Sequence, residues 1–212
     1  LIGDYIYSKA FILMVELGNA HILSELSKAT NDISKGELIQ LDAIDNKKIS
    51  LEKLEAISYF KTARLFEAAA KCGALLIQPD NKYQKDISTC AKNLGVVFQI
   101  KDDLLDYSQD ESVTGKPVLQ DLREGKITYP FFFAYQNANK KEKKQLELLL
   151  GKKKLNQKKV LKLINTLDGI KETENLAMKY IKRSTKSALS LGNKNIRKEM
   201  LNLLDAALHR KK

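Results

Sequence analysis

The chain has 212 residues, 43% of them hydrophobic and 30% charged, with a formal net charge of +11. That length and apolar content suffice for one substantial core, and a single domain over residues 1–212 is expected. No apolar run approaches the roughly 18 residues needed to cross a bilayer, and no signal-peptide pattern opens the chain. A cytoplasmic protein with no transmembrane segment is therefore the expectation.

Three prolines and no tryptophan, against abundant Leu, Lys, Ala and Ile, favour helices over strands. Cys72 and Cys90 lack metal-ligand spacing and read as reduced, structural thiols. The chain opens on Leu1 rather than Met, already inside an amphipathic pattern, so further sequence upstream is expected. The charge is unevenly spread. Residues 140–212 hold 21 Lys+Arg against 7 Asp+Glu, whereas the first 139 hold 16 against 19. The basic residues lie along helical repeats, with few aromatics among them to stack on bases, so solvated helix faces explain them better than a nucleic-acid surface does.

In chain order, Ile2, Ile6, Ala10, Leu13, Met14 and Leu17 recur at helical spacing, and Gly18-Asn19 stops the pattern as a C-terminal cap would. A second helix is predicted from about Ile22 to Asp42. Ser50 is an N-cap candidate for a long helix reaching about Ile77. Pro79-Asp80-Asn81 breaks it, and a fourth helix runs from about Tyr83 to Tyr107. Residues 108–128 are polar and without period, a loop. Short helices are predicted next, from about Tyr129 to Ala138 and Lys141 to Leu150, then three more near 157–167, 170–190 and 193–209. No segment alternates long enough for a strand. The fold class predicted is all-α, a helical bundle whose site lies between facing helices, with 140–212 as basic helices of the same domain.

Chemistry concentrates in the fourth helix. Its apolar stripe steps through Ile87, Ala91, Leu94 and Phe98, and the same spacing continues to Asp102 and Asp106, with Asp103 beside them. By itself, an Asp-Asp-x-x-Asp run is most simply a solvated patch at a helix end. On a core-facing stripe, however, clustered carboxylates need a positive partner, and Mg²⁺ is the natural candidate. In the third helix Ile57, Lys61, Leu65 and Ala68 share a face, so Lys61 stands where a core residue is expected. It either snorkels to solvent or, with Thr62 beside it, meets an anion inside the bundle. The loop adds Gly115-Lys116-Pro117 and Gly125-Lys126, glycines that let backbone approach a phosphate next to lysines that are otherwise ordinary surface residues. Carboxylates, a metal and lysines together would clamp a diphosphate.

The stretch Phe98-Gln99-Ile100-x-Asp102-Asp103-x-x-Asp106, then Gly115-Lys116-Pro117 and Asp121-Leu122-x-Glu124-Gly125-Lys126-x-Thr128-x-Pro130, strongly resembles the trans-isoprenyl diphosphate synthases. Gly3-Asp4-Tyr5-Ile6-Tyr7-Ser8-Lys9-Ala10-Phe11, Gly36-Glu37-Leu38-Ile39-Gln40-Leu41 and Lys61-Thr62-Ala63-x-Leu65-Phe66-Glu67 match as well, in the right order. The wording resembles the longer-chain bacterial branch, the octaprenyl-type synthases. The resemblance implies a bundle of the isoprenoid synthase type with a central cavity, working as a homodimer. It implies a Mg²⁺-dependent prenyltransferase that joins isopentenyl diphosphate to an allylic diphosphate. By the same resemblance Asp102 is a direct metal ligand, with Asp103 and Asp106 holding its waters. Lys61, Lys116 and Lys126 contact diphosphate oxygens, Thr62 and Gln99 support them, and Gln40 lines the pocket. The family's first aspartate-rich motif and its upstream basic residues have no counterpart in this sequence, so the chain by itself is expected to be inactive. A non-catalytic or regulatory subunit of the same fold is the alternative.

Overall fold

The computed structural model describes residues 1–77, 80–107 and 118–210, and every element among them is helical. Helix α1 (Ile2–Glu16) ends before Gly18, which takes a left-handed φ of 67°, and α2 (Ala20–Asp42) starts at once. The stop signal at Gly18-Asn19 divides its labour. Glycine turns the chain, and the Asn19 side chain accepts from the N–H groups of His21 and Ile22 to cap α2.

Ser50 caps the next helix through the N–H of Lys53, as its residue type predicts. The helix is not uniform, however. It runs as α3 (Leu51–Ser58), a single π-helical turn (Tyr59–Ala63) and α4 (Arg64–Ile77). The wide turn takes up extra backbone and rotates α4 about the helix axis relative to α3. Ile57 and Ala68 are buried as expected, but Leu65 is 52% exposed and Arg64 is buried instead.

Helix α5 (Asn81–Asp106), capped by Asp80, is the axis of the bundle, with α4 packed along it. Cys90, Ala91 and Ile100 are buried, and so is every residue from Asn93 to Val97, so over that stretch the helix is enclosed rather than amphipathic. A side chain such as Ile100, with no exposure, contributes about 1.5–3 kcal/mol through burial.

Within the stretch expected to be a loop, residues 118–128 contain a short helix, α6 (Gln120–Arg123), entered through Leu119 at a left-handed φ of 61°. Gly115, Lys116 and Pro117 lie outside the described residues. The remaining helices are α7 (Tyr129–Asn137), α8 (Lys140–Glu147), α9 (Gln157–Thr166), α10 (Gly169–Leu189) and α11 (Lys194–Leu208), close to the predicted segments. Helices α10 and α11 both pack against α5 and complete its enclosure. Pro130 sits at the start of α7, where its missing N–H costs nothing. Asn139 and Glu142 form a reciprocal capping box on α8.

One hydrophobic cluster runs from Ala43 to Ala207, so the basic C-terminal helices contribute to the same core as α3–α5. Their lysines face outward: Lys140, Lys141, Lys144, Lys152 and Lys158 are exposed, while Leu146, Val160 and Ile164 are buried between them. No helix among the described residues is long and apolar enough to cross a membrane. Helix α1 buries none of its residues and leaves Ile2, Tyr5, Ile6 and Leu13 exposed.

Candidate active site

The end of α5, the π turn, the end of α2 and the strap entering α7 surround a cavity of about 100 Å³. Its walls bring together Gln40, Lys61, Gln99, Asp102, Asp103 and Lys126, six of the residues singled out in the sequence. Asp121, quoted there only as part of a lysine-bearing loop, supplies a further carboxylate. Larger hollows exist, such as one of about 310 Å³ between α5, α9 and α10, but its walls carry one cation, Lys101, and one acid, Glu174, among mainly neutral side chains. Size does not decide here; the convergence of charge does.

Two elements present the cations. The π turn aims Lys61 at the cavity, where its Nζ donates to Gln40 Oε1 at 2.7 Å and lies 3.2 Å from Glu37 Oε1. Both partners are neutral or half-exposed groups that a stronger anion can replace. Lys126 comes from the strap, paired with Glu124 at 2.6 Å and Asp121 at 3.7 Å. Burial alone would lower its ammonium pKa, but these carboxylates outweigh burial and hold it above its ordinary value.

Thr62 does not line the cavity. Its hydroxyl donates to Gln99 Oε1 at 2.6 Å, which leaves the Gln99 amide to donate to Asp103 Oδ1 at 2.9 Å. The Tyr129 N–H reaches the other Asp103 oxygen at 3.5 Å. Thr62 thereby sets which way Gln99 points, and Gln99 holds Asp103.

The three acids of α5 are not equivalent. Asp103 is buried, and burial pushes its carboxyl up to about 8; Gln99 pulls it down and Asp121 pushes it further up. Asp106 turns away from the cavity. Its oxygens accept from the N–H groups of Gln120 at 2.8 Å and Asp121 at 3.2 Å, capping α6. Burial, then Asp121, raises its carboxyl to about 6. Asp121 itself is raised by burial, with Lys126 opposing and Asp102 reinforcing. Asp102 is the most open of the set, its side chain 45% exposed and 3.6 Å from the Arg210 guanidinium, which stacks over Phe98. The stripe through Ile87 and Leu94 therefore leads to a buried Asp103 and a half-open Asp102, because an enclosed helix has no single inward face.

Among the described residues no three potential ligands already converge on one point. The donor set does not form an all-protein cage. Asp102 and Asp121 face the cavity, while Asp103 and Asp106 are held by protein donors. Such a set fits a hard cation that takes one or two carboxylates and completes its shell with water and phosphate oxygens.

Comparisons with known proteins bear on family and fold. The family model described as "Polyprenyl synthetase" matches residues 1–167. The octaprenyl diphosphate synthase of Escherichia coli (strain K12) is 42% identical over 134 residues, covering 63% of this chain and 42% of that relative. The all-trans-nonaprenyl-diphosphate synthase (geranyl-diphosphate specific) of Rhodobacter capsulatus is 30% identical over 99% of this chain and 65% of its own length. This chain therefore spans less than two thirds of those relatives. Among solved structures, a polyprenyl synthase from Caulobacter crescentus CB15, complexed with calcium and isoprenyl diphosphate, superposes with a TM-score of 0.93 at 29% identity, over all of this chain and 65% of that one. The chain belongs to the polyprenyl synthetase family.

Proposed function

We propose that the cavity binds the diphosphate of an allylic substrate through Mg²⁺, and that the chain serves a prenyltransferase making a polyprenyl diphosphate from isopentenyl diphosphate. The observation that carries this is the convergence of Asp102 and Asp121 with Lys61 and Lys126 on one small cavity. A metal held by carboxylates takes anionic partners from the ligand, and the lysines beside them can donate to free phosphate oxygens.

In the reaction proposed, the allylic C–O bond breaks and diphosphate leaves. The double bond of isopentenyl diphosphate then attacks the allylic carbon, forming a C–C bond, and a proton is lost. When bound, Mg²⁺ supplies Lewis-acid stabilisation of the charge that builds on the leaving diphosphate. Asp102, with Asp121, is placed to hold it. Lys61 and Lys126 donate to oxygens that gain charge as the bond breaks, in a site where burial strengthens each contact. Lys116 joins them by the resemblance. Thr62 and Gln99 keep Asp103 oriented, and Asp106 keeps α6 and hence Asp121 in place. Gln40 accepts from Lys61 until a diphosphate oxygen takes its place. Ile49, Leu54 and Ile57 form an apolar floor that keeps water from a cationic carbon.

The same reading makes residues 1–212 one domain of a cytoplasmic homodimer. The exposed apolar side chains of α1 support the need for a covering surface. Calorimetry with farnesyl diphosphate tests the site. Binding should require Mg²⁺ and should weaken strongly in Lys61→Met and Asp102→Ala. Binding indifferent to chelation of the metal would refute it.

A further inference from the structure

The π turn is tightly enclosed. On the α2 side, a Cβ placed on Gly36 would lie 2.6 Å from the Lys61 amide nitrogen and 2.9 Å from the Phe60 carbonyl carbon. On the α5 side, one placed on Gly95 would lie 2.5 Å from Ala63 Cα. Two glycines thus let both neighbouring helices touch the backbone of the turn itself, which no side chain would allow.

Directly after the turn, Arg64 is 6% exposed. Its Nε donates to Asp32 Oδ2 at 2.9 Å, and its Nη1 lies 2.8 Å from Glu25 Oε1, both on α2. Lys71 donates to the other Glu25 oxygen at 2.7 Å, and the Tyr59 hydroxyl, from within the turn, donates to Glu67 at 2.7 Å. Burial pushes the Glu25 carboxyl up, but Lys71 and Arg64 outweigh it and hold it below its ordinary value. A buried ionic group of this kind is a poor source of net stability, because desolvation offsets most of the attraction; fixing one arrangement against others is its better-attested use.

The arrangement at stake is rotational. Successive residues of an α-helix are turned by about 100°, so closing the wide turn to an ordinary α turn, with the loss of its one extra residue, would swing α3 against α4 by that angle. Lys61 could not then face the cavity while Arg64 faced Asp32 and Glu25. The two orientations are coupled through the turn.

We propose that Arg64 is a positioning residue for diphosphate recognition: paired with Glu25 and Asp32, it holds the π turn in the register that aims Lys61 into the cavity. This rests on the cavity being a diphosphate site, and the test separates the two. The 212-residue chain is titrated with inorganic pyrophosphate and Mg²⁺ by calorimetry, and melting temperatures are recorded beside it. Lys61→Met should weaken binding about tenfold or more, and Arg64→Met, at a position that does not touch the ligand, about tenfold. Combined, the two should weaken it little beyond Lys61→Met alone. A merely structural Arg64 would lower the melting temperature yet leave the affinity of the folded chain unchanged, or weaken it equally with and without Lys61; either result overturns the proposal. If Arg64→Met does not fold, Asp32→Asn, which keeps the Glu25 pair, should show the same dependence on Lys61 at about threefold, and its failure to do so is equally decisive. Pyrophosphate that does not bind, or that binds Lys61→Met as it binds the unaltered chain, sinks the diphosphate reading itself.

Discussion

Replacing Asp103 by Asn should stabilise the ligand-free chain in alkaline solution and flatten its dependence on pH. Asp103 is buried, and its carboxyl is raised from 3.8 to about 8. Between those values the folded chain holds a proton that the unfolded chain has released, so stability falls as pH rises through the window and levels off above it. The shift is roughly four units, and at about 1.36 kcal/mol per unit the full penalty is roughly 5 kcal/mol. About 3 kcal/mol of that accrues between about pH 5.5 and pH 8. Asparagine cannot ionise, but it offers one acceptor where Asp103 offers two, so it forfeits the Gln99 or the Tyr129 hydrogen bond. That costs about 1–2 kcal/mol. The net gain near pH 8.5 is therefore about 3 kcal/mol, a rise of about 6–12 °C in melting temperature for a chain of this size. Near pH 5.5 the two effects should nearly cancel. Scanning calorimetry of both proteins at both pH values reads this directly. An Asp103→Asn variant that melts at or below the unaltered chain near pH 8.5 would refute the assignment of a desolvated carboxyl.

Asp102 and Asp106 should separate function from folding. Asp102→Ala should weaken Mg²⁺-dependent farnesyl diphosphate binding by about tenfold or more while leaving the melting temperature nearly unchanged, because the side chain is half-open. Asp106→Ala should instead destabilise the chain by about 1 kcal/mol, seen in urea unfolding, because it uncaps α6. Gly95→Ala should cost about 1–3 kcal/mol or more in the same assay, since α5 must move away from Ala63; an unchanged midpoint would show that the contact is loose. Binding of non-specific DNA to the basic C-terminal helices, measured by fluorescence anisotropy, should collapse as salt is raised, and binding that survives physiological salt would contradict the solvated-face reading.

Much of the fold and the site is legible in the sequence, for identifiable reasons. Ser50, Asn19 and the break before Asn81 mark helix ends because capping is local chemistry. The cavity residues Gln40, Lys61, Gln99, Asp102, Asp103 and Lys126 are named by motif resemblance and do converge. The features that escape depend on distant parts of the chain. Stepping four residues on from Lys61 reaches Leu65, whereas the inner position is Arg64, and no stepping rule foresees a π turn. Stepping along α5 assumes one inward face, and an enclosed helix has none, which hides the difference between Asp102 and Asp103. Asp121 enters the cavity only because Asp106 caps α6 and Leu119 takes a left-handed turn, neither of which its neighbours in sequence announce.

The enclosure of α5 has a consequence for how the site tolerates its own charge. Asp102, Asp103 and Asp106 ride on the last turns of a helix that is buried all round from Asn93 to Val97. Like charges on a frayed or surface helix would simply unwind it and drift apart. Here the backbone has no slack, so the crowding is relieved chemically instead: burial favours the protonated form of Asp103, and Asp106 accepts from the N–H groups of Gln120 and Asp121, which leaves Asp102 to face the cavity. A cation arriving at Asp102 therefore meets a backbone that is already fixed, with little ordering entropy left to lose.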